Sequence, residues 1–207
     1  MELMHQQKDF FRTFGFLKFP GLFSDDIERI TNTFERIWSD HGGGHQGNAH
    51  DYERRSALLQ FIDQDEYMSG LIDDPRLDGI ASGILGDDYN YVLSDGNFYV
   101  GDTQWHGAKI TGDPSEDLEV KSVKVAFYVD PLNRDNGSLR IIPGSHQRPF
   151  ADRLQVLSGQ YQDPSFHPLG VSGSDMPGVA LETQPGDVAV FTENVFHGAF
   201  GGSPGRH

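Results

Sequence analysis

Ile27, Ile30, Phe34 and Ile37 recur at the spacing of three and four residues that lines one face of a helix. Ser24 ahead of them predicts an N-cap, with Asp25 and Asp26 in a first turn whose exposed N–H groups favour negative charge. Two more helical stretches are predicted, roughly Asp65 to Ile72 and Pro75 to Leu85, with Gly86 as a C-terminal stop. From Tyr89 the pattern changes to short runs rich in β-branched and aromatic residues: Tyr89 to Leu93, Asn97 to Val100, Val120 to Val129, Ser138 to Ile142, Val179 to Glu182 and Asp187 to Phe191. Gly15 to Pro20 adds an early strand. Strands so spaced predict a barrel or sandwich, and helices packed outside it give an α+β fold that is mainly β.

Turn chemistry supports this division. Asn136-Gly137 predicts a tight turn and Pro185-Gly186-Asp187 another. The stretch from His41 to His50 holds too much glycine for helix or strand, and its three histidines, His41, His45 and His50, read as part of a loop able to close over a site. No internal repeat or linker divides the 207 residues, so one domain is expected.

Composition then narrows the chemistry. With no Cys among 207 residues there is no disulfide, thiolate metal site or cysteine nucleophile, so a metal would be held by His, carboxylate or water. The balance of 16 Lys+Arg against 31 Asp+Glu, a net charge of −15, argues against a nucleic-acid polymer or an anionic membrane as partner. The start lacks a basic leader and no apolar run approaches the length of a membrane span, which predicts a cytoplasmic protein.

Two of the nine histidines have distinctive settings: His106 in Asp102-Thr103-Gln104-Trp105-His106-Gly107-Ala108, and His197 in Asn194-Val195-Phe196-His197-Gly198. They stand 91 residues apart, so only a fold that joins distant strands could make one site of them. Each alone is an ordinary hydrogen-bonded histidine.

Their combination with Asn136-Gly137-Ser138-Leu139-Arg140-Ile141-Ile142-Pro143-Gly144-Ser145-His146, with Gln184-Pro185-Gly186-Asp187, and with Gly15-Phe16-Leu17-Lys18-Phe19-Pro20-Gly21-Leu22-Phe23-Ser24 resembles the phytanoyl-CoA dioxygenase family of iron(II)/2-oxoglutarate oxygenases. The resemblance spans nearly the whole chain. It implies a double-stranded β-helix, the jelly-roll or cupin-like barrel, with N-terminal helices outside and iron at its mouth. It maps His106 and His197 onto the iron ligands and Arg206, nine residues after His197, onto the grip for 2-oxoglutarate; Asn97, on the strand preceding the ligand loop, is a candidate for a hydrogen bond to that co-substrate. Molecular oxygen is the second co-substrate the family implies. Because a jelly roll needs a strand after that arginine, the resemblance also predicts that the C-terminal strand is missing from these 207 residues.

One position departs from the pattern. Where the family carries Asp two residues after its first histidine, this chain has Ala108, whose methyl group cannot coordinate iron. His-x-Ala resembles the iron/2-oxoglutarate halogenases, in which chloride supplies the missing charge and fills the open position. The predicted activity is therefore chlorination of an unactivated C–H bond of a small molecule. A hydroxylase with a displaced carboxylate from Asp102, Asp113 or Glu116 is the second reading, and a non-catalytic or altered relative the third. Arg54, Arg55 and Arg140 are candidates for an anionic substrate such as a nucleotide, and Trp105 for a pocket wall; a substrate tethered to a carrier protein also fits. Lys121 and Lys124 could face the site or solvent.

Overall fold

A computed structural model of the protein describes residues 1–41, 55–107, 113, 118–159, 163 and 165–203. In chain order the elements are α1 (His5–Phe14), β1 (Phe16–Phe19), α2 (Ile27–His41), β2 (Ser56–Leu59), α3 (Glu66–Gly70), α4 (Pro75–Leu85), β3 (Asp95–Phe98), β4 (Gly101–His106), β5 (Val123–Phe127), β6 (Leu139–Ile141), α5 (Phe150–Leu154), β7 (Val179–Leu181), β8 (Val188–Thr192) and β9 (His197–Gly202). One antiparallel sheet runs β1-β8-β5 and another β4-β9-β6-β7, while β2 and β3 pair separately. The two larger sheets form the jelly roll, and the expected α+β, mainly β class holds.

Strand β8 shows how sequence parity builds the layers. All five of its residues are buried, as a central strand covered on both faces requires. Val188 and Val190 face the helical layer, where they join Leu17, Phe19, Ile30, Phe34, Ile37 and Trp38. Ala189 and Phe191 face the barrel interior with Phe16, Ile141, Leu181 and Val195. Helix α2 thus closes one face of the sheet through the stripe its periodicity predicts, each fully buried side chain contributing about 1.5–3 kcal/mol. A third cluster, Trp105, Ile142, Leu157, Met176, Phe196 and Phe200, packs the outer face of the four-stranded sheet.

Two expectations need correction. Tyr89 to Leu93 forms no strand: Val92 and Leu93 are exposed, while the Tyr89 and Tyr91 hydroxyls donate to Asp78 (2.7 Å) and Asp63 (3.0 Å). With no neighbouring strand to pair with, β propensity is overruled. Helix α2 begins at Ile27, so Ser24 is not its N-cap; its amide instead closes a turn on Gly21 at 3.1 Å, and Asp26 accepts the Ile30 N–H at 3.0 Å. By contrast, α4 spans the predicted Pro75 to Leu85, capped by Asp74 and stopped by Gly86 at φ +89°. No described helix is long and apolar enough to cross a membrane.

Candidate metal centre

His106 ends β4 and His197 begins β9, and the antiparallel register makes them direct partners. Facing residues of such a pair project to one side, so both imidazoles enter the barrel, with ring centroids 4.2 Å apart. The register slips along this ladder. Thr103 pairs with Ala199 and His106 with His197, so three steps on β4 match two on β9. A regular strand would put Thr103 and His106 on opposite faces. The bulge lets both face inward while Trp105 turns outward.

Backbone carbonyls fix each ring. His106 Nδ1 lies 2.8 Å from the Gln104 oxygen and His197 Nδ1 2.8 Å from the Val195 oxygen. A carbonyl only accepts, so each Nδ1 carries the proton and donates, leaving each Nε2 with its lone pair. That is the tautomer a metal requires, oriented in the manner of second-layer contacts in metal sites. Burial, followed by the positive charge its neighbour His106 would carry, pushes His197 down to about 3; the Val195 carbonyl opposes this and Lys124 adds to it. Burial likewise lowers His106, with the Gln104 carbonyl opposing and the charges of Lys124 and Arg55 reinforcing. Both rings are therefore neutral at pH 7, the state in which an imidazole can bind a metal.

The loop preceding β9 is held from two sides. Phe196 N–H donates to the buried Ser145 hydroxyl at 2.7 Å, and its carbonyl accepts from Ile142 N–H at 2.9 Å. The Pro143-Gly144-Ser145-His146 motif thus braces the approach to His197. His146 itself is buried and directs Nε2 to the Arg12 carbonyl at 3.0 Å, a structural role.

The other predicted residues divide. Ala108, Arg206, Arg54, Glu116, His45 and His50 lie outside the described residues. His41, closing α2, sets Nδ1 2.9 Å from the Ile37 carbonyl. Asn97 Oδ1 accepts from Arg55 Nε (3.0 Å) and Nη2 (2.8 Å), and its Nδ2 donates to Asp95 at 2.8 Å. Arg55 also lies over the Tyr99 ring, 4.8 Å from its centroid.

Trp105 and Arg140 are corrections. Trp105 is fully buried, with its indole N–H on the Gly173 carbonyl at 2.7 Å, so it packs the far side of the sheet instead of walling the pocket. Arg140 faces the same far side over Phe200 and donates to the carbonyls of Ser174 (2.6 Å) and Arg134 (2.8 Å). Neither reaches the histidine pair. Of the displaced-carboxylate candidates, Asp102 accepts from Gly201 N–H at 2.8 Å, and the Asp113 carbonyl accepts from Arg148. Among the described residues no group of three His, Asp or Glu side chains could hold a metal, and the two imidazoles are the candidate donors they offer here. Two adjacent imidazoles with their Nε2 lone pairs uncommitted to protons suit a metal ion that takes its remaining ligands from elsewhere.

Two neighbours of the pair are placed by strand register. Phe191 places its ring 4.9 Å from His197, and Lys124 stands opposite Phe191 across the β5–β8 ladder. The sequence leaves Lys124 between site and solvent and does not single out Phe191, and the register settles both; Lys121 lies before β5 begins.

A double-stranded β-helix with paired inward histidines at a strand end has the architecture of the non-haem 2-oxoglutarate-dependent oxygenases. The family described as Phytanoyl-CoA dioxygenase (PhyH) matches residues 11–206, and the chain belongs to it. Among curated proteins, none matches in sequence. The fold is similar to that of the non-heme alpha ketoglutarate dependent carbocyclase SnoK from nogalamycin biosynthesis, with a TM-score of 0.68 at 20% identity over 96% of this chain and 78% of that one. It is also similar to EctD from S. alaskensis with bound Fe, at 0.70 and 20% identity over 99% and 73%. HygX from Streptomyces hygroscopicus with nickel, 2-oxoglutarate and hygromycin B bound gives 0.71 and 19% identity over 99% and 83%.

Proposed function

We propose that this protein is an iron(II)/2-oxoglutarate-dependent oxygenase that transfers a halide, chloride in the first instance, to an unactivated C–H carbon of a small molecule. His106 and His197 would hold the metal through Nε2, and the Gln104 and Val195 carbonyls keep those lone pairs aimed. Iron with 2-oxoglutarate and oxygen would supply the oxidation that breaks the C–H bond. Arg206, at the family's position for the purpose, would grip the far carboxylate of 2-oxoglutarate. Phe191 and the apolar lining beside His197 keep water from that side of the site.

The observation that carries this reading is the matched pair of imidazoles, facing at 4.2 Å with both Nδ1 atoms committed to carbonyls. The halide step rests on the residue two beyond His106: Ala108 offers no oxygen where a carboxylate would otherwise sit. Deleting that carboxylate removes one negative charge and one ligand, and a halide ion supplies both. Family membership and the likeness to SnoK, EctD and HygX support the oxygenase class.

Anaerobic addition of iron(II) and then 2-oxoglutarate tests the class. A visible metal-to-ligand charge-transfer band is expected in the wild type and is lost in His197→Ala. A wild type with no band contradicts the assignment. Product analysis with chloride present tests the finer step, since hydroxylated product alone would make this a hydroxylase.

A further inference from the structure

Lys124 is not accounted for by the metal centre. On β5 it pairs with Phe191 of β8, and directly opposed residues project to the same face. That face is the barrel interior, because Phe191 packs there and its ring contacts His197 at 4.9 Å. Ala126, on the same side of β5, pairs with Ala189, whereas Phe127 pairs with Val188 toward the helical layer. Lys124 therefore stands on the histidine side.

It is exposed, and among the described residues it makes no hydrogen bond or ion pair. Lys18 and Lys121, by comparison, have Asp187 at 2.9 Å and Glu119 at 3.9 Å. Its inward neighbours Phe191 and Ala126 carry no charge. In a chain with 31 acidic against 16 basic residues, this ammonium beside the histidine pair has no carboxylate within ion-pair distance among the described residues. Its field reaches both imidazoles, and that of Arg55 reaches His106 as well. Arg55 is bonded to Asn97 and lies 3.4 Å from Asp95, so part of its charge is already balanced. Among the described residues on this side, Lys124 is a cation open to an incoming anion.

We propose that Lys124 is an oxyanion-binding residue of this site, taking a carboxylate or phosphate on a molecule whose other end reaches His106 and His197. This rests on the iron/2-oxoglutarate reading above. The oxyanion has two sources, the far carboxylate of 2-oxoglutarate or an anionic group on the substrate, and both ask the same of Lys124: a charge-assisted hydrogen bond at the mouth of the barrel.

The test compares wild type with Lys124→Met, using Lys121→Met as the control on the same segment. Iron(II)-loaded protein is titrated without oxygen with 2-oxoglutarate and with 2-oxopentanoate, which keeps the metal-binding end and lacks the far carboxylate; the charge-transfer band reports binding. Calorimetry with inorganic phosphate on the nickel(II) and 2-oxoglutarate-loaded protein reads the second source. If the co-substrate is the partner, Lys124→Met weakens 2-oxoglutarate roughly tenfold and leaves 2-oxopentanoate unchanged. If the substrate is the partner, both 2-oxo acids bind as in wild type and phosphate binding falls by about the same factor. Lys121→Met changes nothing in either case. A Lys124→Met protein that matches wild type for all three ligands overturns the proposal, whereas a wild type without a charge-transfer band overturns the oxygenase reading beneath it.

Discussion

Asp187 links the turn chemistry of the sequence to the position of the site, and replacing it has a calculable cost. Its carboxylate is buried at the start of β8 and accepts Gly21 N–H at 2.7 Å on one oxygen; the other takes Gln184 N–H at 3.0 Å and the Lys18 ammonium at 2.9 Å. Burial alone would raise its pKa, but the two N–H donors and Lys18 outweigh that and hold it below the usual carboxylate range. Asp187→Asn keeps one acceptor and turns an NH2 group toward the Gln184 N–H and Lys18, so at least one charge-assisted bond is lost and a donor meets donors. The expected cost is about 2–4 kcal/mol. With an m-value of about 3 kcal/mol/M, the urea midpoint at pH 7 falls by about 1 M. The acid response follows from the sign of the shift. A depressed pKa contributes stability that is complete above the unfolded value of about 3.9 and is lost as pH falls through the lower folded value. Wild type should therefore lose stability below about pH 4 more steeply than Asp187→Asn. Equal midpoints at pH 7, or equal acid slopes, would refute this account of the turn.

Three other outcomes follow from the same geometry. Arg140→Met strips its donors from the Ser174 and Arg134 carbonyls and should cost about 1–3 kcal/mol in urea unfolding while leaving the 2-oxoglutarate titration unchanged, because Arg140 lies on the far face of the sheet. Gly15→Ala forces a side chain into φ +86° and sets its Cβ 2.7 Å from His146 Nδ1. A loss of about 2–3 kcal/mol, or roughly 4–12 °C in Tm by calorimetry, is expected. Ala108→Asp would return a carboxylate to the metal centre; halogenated product should disappear in mass spectrometry while iron binding persists, and continued halogenation would sink the role given to Ala108.

The parts of this fold legible in the sequence are those whose periodicity matches a single buried face. Helix α4 is one, because Asp74, Pro75 and Gly86 mark its ends chemically, and α2 is another through Ile30, Phe34 and Ile37. Helix α1 is not, since only Phe11 of its residues is buried while Phe10 and Phe14 stay exposed. Strand β9 escapes notice because His197-Gly198-Ala199-Phe200-Gly201-Gly202 holds three glycines and owes its pairing to β4 and β6. For the site, residue types and motif order single out His106 and His197, but their facing geometry depends on a bulge no local pattern announces. The same bulge turns Trp105 away from the pocket. Arg140 misleads for a related reason: it alternates with Leu139 and Ile141, and only the barrel decides which face is inside. Lys124 is left between site and solvent by the sequence, and only its register against Phe191 of β8 places it on the histidine side.

Under the proposed function, two histidines hold iron beside a position left open for halide. A crystal of the protein grown without oxygen with iron(II), 2-oxoglutarate and bromide, measured at the bromine edge, tests it most directly. Anomalous bromide density on the metal beside Ala108, with His106 and His197 as the only protein ligands, is the predicted result. A protein carboxylate in that position, or a metal bound elsewhere, would contradict the account.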